Sequence, residues 1–171
     1  MEIAACYAMA LSRTKGPSAF SLTRQKVSKV PRPEGFDPKS ILRGGYIAAE
    51  ATSGKPDLVI VATGSEVELA IKARTELEKS GKHVRVVSMP CVDIFMEQDS
   101  VYRTSIIPKG VAHVSIEAGV TDGWRGLLGE NALCLGLDRF GASAPDKVLA
   151  EQFGFTSEGV VEAVRKWLQV S

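Results

Sequence analysis

An unbroken apolar run at residues 58–62, Leu-Val-Ile-Val-Ala, is the strongest hydrophobic feature of the chain. Short continuous runs of branched aliphatic side chains are typical of a β-strand that is buried on both faces. Residues 63–65 interrupt the run, and Gly64 permits a tight turn that a Cβ would oppose. Apolar side chains then recur at helical spacing over residues 67–77, with charged side chains between them. This stretch predicts a buried strand, a glycine turn and an amphipathic helix, the first half of a βαβ unit.

The start of that helix carries the S-x-x-E spacing of a capping box, from Ser65 to Glu68. In a capping box the serine hydroxyl accepts a hydrogen bond from the backbone N–H of the glutamate, and the carboxylate reaches back to the serine N–H. We therefore predict that Ser65 caps the helix and that Glu68 completes the box.

From residue 41 onward, short apolar runs alternate with helical patterns. Strands are predicted at residues 42–48, 84–89, 111–116 and 132–137, and helices at residues 99–105 and 121–128, from residue 143, and at residues 157–168 with Thr156 as the cap. Alternation with short connections implies a parallel sheet with helices on both faces. We predict an α/β fold, a three-layer α/β/α sandwich with a mostly parallel sheet of about five strands. Ligands of such sheets bind beyond the carboxyl ends of the strands, here at the loops 63–66, 90–95 and 117–124.

The first forty residues follow a different pattern. Residues 2–13 predict a short helix, and the alternation at residues 18–23 predicts a strand. Residues 26–39 hold three prolines and no periodicity, which indicates a linker. Its four cations favour a solvated tether over an anion-binding patch. One helix and one strand cannot enclose a core, so this segment is interpreted as the tail of a domain whose body lies elsewhere, or as an arm that packs on a partner.

Composition narrows the class of protein. The 171 residues have room for one domain and an appendage, and a net charge of +1 gives no reason to expect nucleic acid or a membrane as partner. Three widely spaced cysteines form neither a disulfide framework nor a metal-binding spacing, which favours a reducing, cytoplasmic location. No signal pattern opens the chain, and no apolar run approaches the roughly 18 residues of a membrane helix.

The strand-end loops offer two candidate chemistries. The Gly64-Ser65 turn at a helix N-terminus can hold an anion, although it lacks the glycine spacing of a nucleotide-binding loop and is more often structural. Asp93, Glu117 and Asp122 lie at strand ends, where converging carboxylates would perform acid–base work or hold a cation; such residues more often cap helices.

Histidine and cysteine give weaker signals. His83 and His113 have no serine, cysteine or carboxylate partner at a motif spacing, so no catalytic triad is predicted and both are interpreted as structural. Cys91 follows a proline at a strand end, and nothing in its surrounding sequence supports a reactive thiol.

Six segments in the same order resemble the C-terminal end of transketolase. They are GPSAFSLTRQ at residues 16–25, ILRGGYIAAE at 41–50, DLVIVATGSEVELA at 57–70, VRVVSMPCVDIF at 84–95, VSIEAGVTDGW at 114–124 and FGASAPDKVLAEQFGFT at 140–156. A sister family, deoxyxylulose-phosphate synthase, shares the domain order, and Thr23-Arg24-Gln25 favours transketolase over it.

The resemblance implies a thiamine-diphosphate enzyme, with Mg²⁺ or Ca²⁺, that transfers two-carbon ketol units between sugar phosphates in the pentose phosphate pathway. Members of that family are homodimers. By resemblance, residues 1–28 are the last helix and strand of the pyrimidine-binding domain, residues 29–40 a linker and residues 41–171 the C-terminal domain. The expected partners are the remainder of a transketolase chain and a second protomer.

One functional residue carries over from the family. Its Ser/Thr-Arg-Gln motif is matched by Thr23-Arg24-Gln25, and its arginine binds the phosphate end of the sugar, so Arg24 is the expected substrate-phosphate residue. A guanidinium suits that task because it stays charged and offers paired donors.

No catalytic, coenzyme-binding or metal-binding residue carries over. The family's coenzyme-activating glutamate, Gly-Asp-Gly metal motif and active-site histidines all belong upstream of residue 1, and its C-terminal domain is described as lacking direct contact with the coenzyme. We therefore expect this chain alone to be inactive, to bind no coenzyme and to support the architecture of a dimer. Two alternatives remain open: the second subunit of a split transketolase, and a non-catalytic module that binds a small anion at Gly64-Ser65.

Overall fold

A five-stranded sheet forms the centre of the protein in a computed structural model that describes residues 1–170. The strands lie in the order β1-β3-β2-β4-β5. Their bounds are Tyr46–Ala49 for β1, Leu58–Ala62 for β2, Val84–Ser88 for β3, Ala112–Ile116 for β4 and Leu133–Leu135 for β5. Strands β2 to β5 are parallel, and β1 pairs antiparallel with β3 at one edge. The predicted α/β fold with a mostly parallel sheet is confirmed.

Seven α-helices and one 3₁₀ helix are assigned within residues 1–170. The α-helices are α1 at Glu2–Ser12, α2 at Glu66–Lys79, α3 at Val92–Met96, α4 at Ser100–Ile106, α5 at Asp122–Leu128, α6 at Asp146–Phe153 and α7 at Ser157–Val170. The 3₁₀ helix spans Pro38–Arg43 and leads into β1. None of the helices in the described part of the chain is long and apolar enough to cross a membrane.

Two apolar clusters cover the two faces of the sheet. Because successive side chains of a strand point to opposite faces, Ile60 packs with α2 and α7, whereas Val59 and Val61 pack with α3, α4 and α5. All five residues of β2 are buried, as their unbroken apolar run predicts. The chain thus forms the predicted three layers, with β2 at the centre.

The strand register fixes where the connecting loops emerge. Ala62, the last residue of β2, lies opposite Ser88 of β3 and Ile116 of β4. The loops that follow these three strands therefore leave the sheet at one edge, which we call the carboxyl edge. This is the edge at which ligand-binding loops are expected in a parallel sheet.

Three local predictions are wrong. Residues 18–23 form no strand, because an alternating apolar and polar pattern does not by itself provide a neighbouring strand to pair with. Instead, the ring of Phe20 stacks on the ring of Tyr7 with centroids 4.7 Å apart. The predicted loop at residues 90–95 contains most of α3, Val92–Met96. The strand predicted at residues 42–48 begins only at Tyr46, since the 3₁₀ helix ends at Gly44 with φ of 82°.

Gly44 is required at that junction for two reasons. Its positive φ favours glycine, and a Cβ would lie 2.5 Å from both the carbonyl oxygen of Cys91 and the backbone nitrogen of Phe95. The start of β1 is therefore packed directly against the backbone of α3.

Candidate functional site

Glu117 is the central side chain of the carboxyl edge. It follows β4 directly, and its Oε1 accepts a hydrogen bond from the Thr63 hydroxyl at 3.0 Å. Its Oε2 accepts a hydrogen bond from Nε1 of Trp124 at 2.8 Å, and Trp124 is only 5% exposed. One carboxylate thus joins the loop after β2 to the helix that follows β4.

A second carboxylate, Glu66, lies beside Glu117. Burial raises the pKa of Glu66, and the negative charge of Glu117 raises it further. The Ser65 hydroxyl donates to Glu66 at 2.9 Å and partly offsets this shift. Together with Thr63 and Trp124, these residues form what we call the carboxyl-edge cluster.

Asp93, Glu117 and Asp122 do not converge on one site, and convergence is the less favoured of their two interpretations. Asp93 and Asp122 are exposed, and their carboxylates form no hydrogen bond or ion pair within residues 1–170. The carboxylate that lies beside Glu117 is that of Glu66, a charged residue at the start of α2 that is expected from the sequence to face solvent. Its position at the first residue of α2, directly behind the glycine turn, is the sequence signal that would have found it.

The predicted capping box does not form. Ser65 has helical dihedrals, φ −64° and ψ −30°, whereas a capping residue needs an extended backbone, and its side chain caps no backbone N–H. Glu68 instead accepts from the backbone N–H of Ser28 at 3.4 Å and pairs with Lys72 at 2.7 Å.

The turn at Gly64 is poorly suited to an anion. Gly64 has a φ of 48°, a conformation that favours glycine. The Glu66 and Glu117 carboxylates lie beside the turn and would repel a bound anion. Nor do the described residues contain a cluster of three His, Cys, Asp or Glu side chains that could hold a metal ion.

The contacts of His113 and His83 that the structure shows are to the backbone or through the backbone. The ring nitrogens of His113 face the carbonyl oxygens of Pro108 and Leu128 at 2.9 and 3.2 Å. His83 is exposed, and its backbone N–H donates to the Asp57 carboxylate at 3.1 Å.

Arg24, the expected phosphate-binding residue, lies in an exposed bend of the N-terminal arm, residues 1–28. The backbone N–H of Gln25 donates to the Thr23 hydroxyl at 3.2 Å, which holds the bend. The Arg24 guanidinium forms no hydrogen bond or ion pair within the described chain. The side chain is therefore free to bind a ligand from solution.

The arm is attached to the sheet by a contact that sequence reasoning missed. The Glu2 carboxylate accepts hydrogen bonds from the Tyr46 hydroxyl at 2.7 Å and the Ser88 hydroxyl at 2.6 Å. Tyr46 and Ser88 face each other across β1 and β3, and each is 1% exposed. Burial and the nearby Glu2 carboxylate raise the pKa of Tyr46. No local pattern could have shown this contact, because it joins distant parts of the chain.

The remaining face of α1 is apolar and largely exposed. Ile3, Tyr7 and Leu11 form an apolar stripe on this helix and are 53%, 50% and 84% exposed, with only the Phe20 ring stacked on Tyr7. In this structure the stripe packs on no core.

Comparison with known proteins relates this architecture to transketolases. The family described as the transketolase-like TK C-terminal domain matches residues 44–156. The chloroplastic transketolase of Solanum tuberosum is 44% identical over 167 residues, which cover 96% of this chain and 22% of that protein.

Solved structures agree with the sequence match. Transketolase from Leishmania mexicana superposes with a TM-score of 0.86 at 38% identity, over 98% of this chain and 24% of that one. A chain described as a split gene transketolase, inactive beta4 tetramer, gives a TM-score of 0.64 at 26% identity, over 85% of this chain and 48% of that one.

The chain therefore spans about a quarter of the length of the transketolases from Solanum tuberosum and Leishmania mexicana. The family match covers the sheet from just before β1 to the start of α7, with the carboxyl-edge cluster inside it. On these findings, the chain belongs to the family of transketolase-like C-terminal domains.

Proposed function

We propose that this chain is the C-terminal portion of a transketolase that transfers two-carbon ketol units between sugar phosphates. The observation that carries the proposal is its 44% identity to a transketolase over 96% of its own length. Such an enzyme would be a cytoplasmic homodimer of the pentose phosphate pathway. The chain alone would be inactive and would support the dimer.

Thiamine diphosphate and its Mg²⁺ or Ca²⁺ would bind to the rest of the enzyme. The described residues contain no three-ligand cluster for the cation, and the carboxyl-edge cluster presents two carboxylates rather than donors for a diphosphate. The surroundings of the cluster therefore do not fit the coenzyme, and no step of its chemistry is assigned to this chain.

The domain boundaries belong to the same proposal. Residues 1–28 would complete a pyrimidine-binding domain, residues 29–40 would connect it, and residues 41–171 would form the C-terminal domain. The largely exposed stripe of Ile3, Tyr7 and Leu11 supports this division, because an apolar helix face needs a core to cover it.

Arg24 would hold the phosphate end of the sugar substrate. Its guanidinium is exposed and has no partner within residues 1–170, so both donor pairs are available to phosphate oxygens. A bound phosphate would orient the sugar chain and leave the reacting end to groups outside this chain.

A chimera tests the proposal. In the Solanum tuberosum transketolase, the matching segment is replaced by this chain, and ketol transfer is measured with phosphorylated and unphosphorylated acceptors. We expect a folded, active chimera. Arg24→Ala should lower kcat/KM for phosphorylated acceptors about 10- to 100-fold, the worth of one charged hydrogen bond, and leave unphosphorylated acceptors unchanged.

Arg13→Ala is the matched control, since Arg13 is another cation of the arm whose side chain donates to the carbonyl of Lys15. A folded chimera without turnover would contradict the transketolase proposal. Equal losses with both kinds of acceptor would contradict only the role of Arg24.

The likeness to a split-gene transketolase favours a second candidate, in which this chain is one subunit and a separate chain supplies the rest. The DNA upstream of Met1 distinguishes the single enzyme from the split one: an in-frame continuation favours a single enzyme, and a separate neighbouring gene favours a split one.

A module that binds a small anion is a weaker candidate, because two carboxylates lie beside Gly64. Phosphate-induced thermal stabilisation that is lost in Ser65→Ala would support it.

A further inference from the structure

Two half-buried cysteines, Cys6 on the N-terminal arm and Cys91 after β3, lie on either side of the contact between the arm and the sheet. Cys6 lies one helical turn after Glu2 on α1, so the two side chains share a face of that helix. Glu2 lies 2.6 Å from the hydroxyl of Ser88 at the end of β3, and Cys91 follows shortly after Ser88. The same helix face thus meets the segment that contains Cys91.

The backbone around Cys91 is held firmly. Its N–H donates to the carbonyl oxygen of Gly44 at 3.0 Å, and Gly44 admits no side chain against the Cys91 carbonyl. The electrostatics of Cys6 show the same neighbourhood: burial, the Glu2 carboxylate and Cys91 all raise the pKa of its thiol. This effect agrees with the contact between Glu2 and Ser88, which brings the segments that contain the two cysteines together.

We propose that Cys6 and Cys91 are a redox-sensitive pair that forms an intrachain disulfide and fastens the N-terminal arm to the sheet. Helix α1 buries none of its side chains fully, so little packing opposes the shift that would bring the Cys6 sulfur within disulfide distance of Cys91. In the reduced protein, the hydrogen bonds of Glu2 are the polar attachment of α1 to the sheet.

A peroxide is the oxidant, and the atoms balance. The Cys91 thiolate attacks one peroxide oxygen, the O–O bond breaks, and the products are a sulfenic acid and hydroxide, which takes up a proton to become water. The Cys6 thiol, a weak nucleophile because of its raised pKa, then attacks the sulfenic sulfur and expels a second water. A dithiol reductant reverses the bond.

Peptide mapping of the full chain tests the pair. The protein is treated with hydrogen peroxide, blocked with an alkylating reagent and digested without reductant. We expect one linked peptide that contains Cys6 and Cys91 and disappears with dithiothreitol. Cys134→Ser is the matched control: Cys134 lies on β5, three strand spacings or roughly 14 Å from β3, so this variant should still form the link.

Hydrogen exchange gives the structural readout. Oxidation should slow exchange of the α1 amides roughly tenfold or more in the wild type and in Cys134→Ser, and not in Cys6→Ser or Cys91→Ser. The proposal is overturned if Cys6 and Cys91 remain free or over-oxidise separately. It is also overturned if they link only between molecules, or if the intrachain bond forms without slowing exchange of α1.

Discussion

At the scale of single residues, two hydroxyls precede helices in similar sequence settings and behave differently. Thr156 precedes α7, and its hydroxyl accepts from the backbone N–H of Gly159 at 3.0 Å, as a helix cap should. Ser65 precedes α2 but has helical dihedrals and donates to Glu66. Ser65 and Thr156 thus differ in their hydrogen bonds because of backbone conformation, which cannot be predicted from the type of residue alone.

Thr156→Ala should therefore destabilise the protein by about 1 kcal/mol, because a backbone N–H of α7 loses its acceptor. Ser65→Ala is the matched comparison and should change stability by less than about 0.5 kcal/mol. Both values come from urea denaturation at constant m-value. A larger effect for Ser65→Ala than for Thr156→Ala would reverse this assignment.

The carboxyl-edge cluster gives a pH-dependent prediction. Burial, reinforced by Glu117, raises the pKa of Glu66 above its ordinary value of 4.5. The folded state therefore holds the Glu66 proton more tightly than the unfolded state does, and stability falls as pH rises through the native pKa. Glu66→Gln should stabilise the protein at pH 7, and the gain should disappear as the pH falls below 4.5.

Glu68→Gln on the same helix is the opposite case. Its ion pair with Lys72 lowers the pKa of Glu68, so its contribution is present above 4.5 and is lost as the pH falls through the native pKa. Thermal melts of the three proteins between pH 4 and 7 measure both effects. Two variants with differences of the same sign would contradict these assignments.

At the scale of elements, α1 is only weakly secured to the sheet. It has the alanine-rich sequence of a good helix former, yet buries none of its side chains fully. Glu2 attaches its first turn to a cross-strand pair of hydroxyls, while Ala5 packs against the core. The helix is thus predicted by its own sequence, but its position depends on groups of the sheet.

Tyr46→Phe should loosen that attachment, because it removes one of the two donors to a carboxylate. We expect exchange of the α1 amides to become about tenfold faster while exchange in β2 is unchanged. Tyr102→Phe serves as control, since its hydroxyl donates to the carbonyl of Gly45 rather than to the arm. Unchanged exchange in α1 would show that apolar contacts alone hold the helix.

At the scale of the whole molecule, two regions differ in how they are held. The sheet and its helices bury two continuous apolar clusters. By contrast, residues 11–29 are exposed throughout, and residues 13–30 contain no helix or strand. Within the linker, Val30 and Phe36 pack on the core, and Arg32 lies 5.1 Å from the centroids of the Phe36 and Tyr46 rings.

Brief trypsin digestion should therefore cut the arm before the sheet domain. Cleavage is expected first at the exposed basic residues that follow α1, up to the start of the linker: Arg13, Lys15, Arg24, Lys26 and Lys29. A product that begins near residue 30 should persist. Mass spectrometry identifies the cuts, and equally fast cleavage at Arg74 or Arg85, which lie in packed elements, would contradict this division.

The sequence by itself determined the α/β architecture, the buried central strand, the helix α7 with its cap and the family. These features could be predicted because each has a signal within a short stretch of sequence. The signals are an unbroken apolar run for a strand buried on both faces, helical spacing of apolar residues, and the family motifs in their order. Only the tertiary structure decided that residues 18–23 form no strand, that Glu66 is the neighbour of Glu117 and that Ser65 does not cap. The tertiary structure also decided that Glu2 attaches to Tyr46 and Ser88. All of these findings depend on which distant groups the fold brings together.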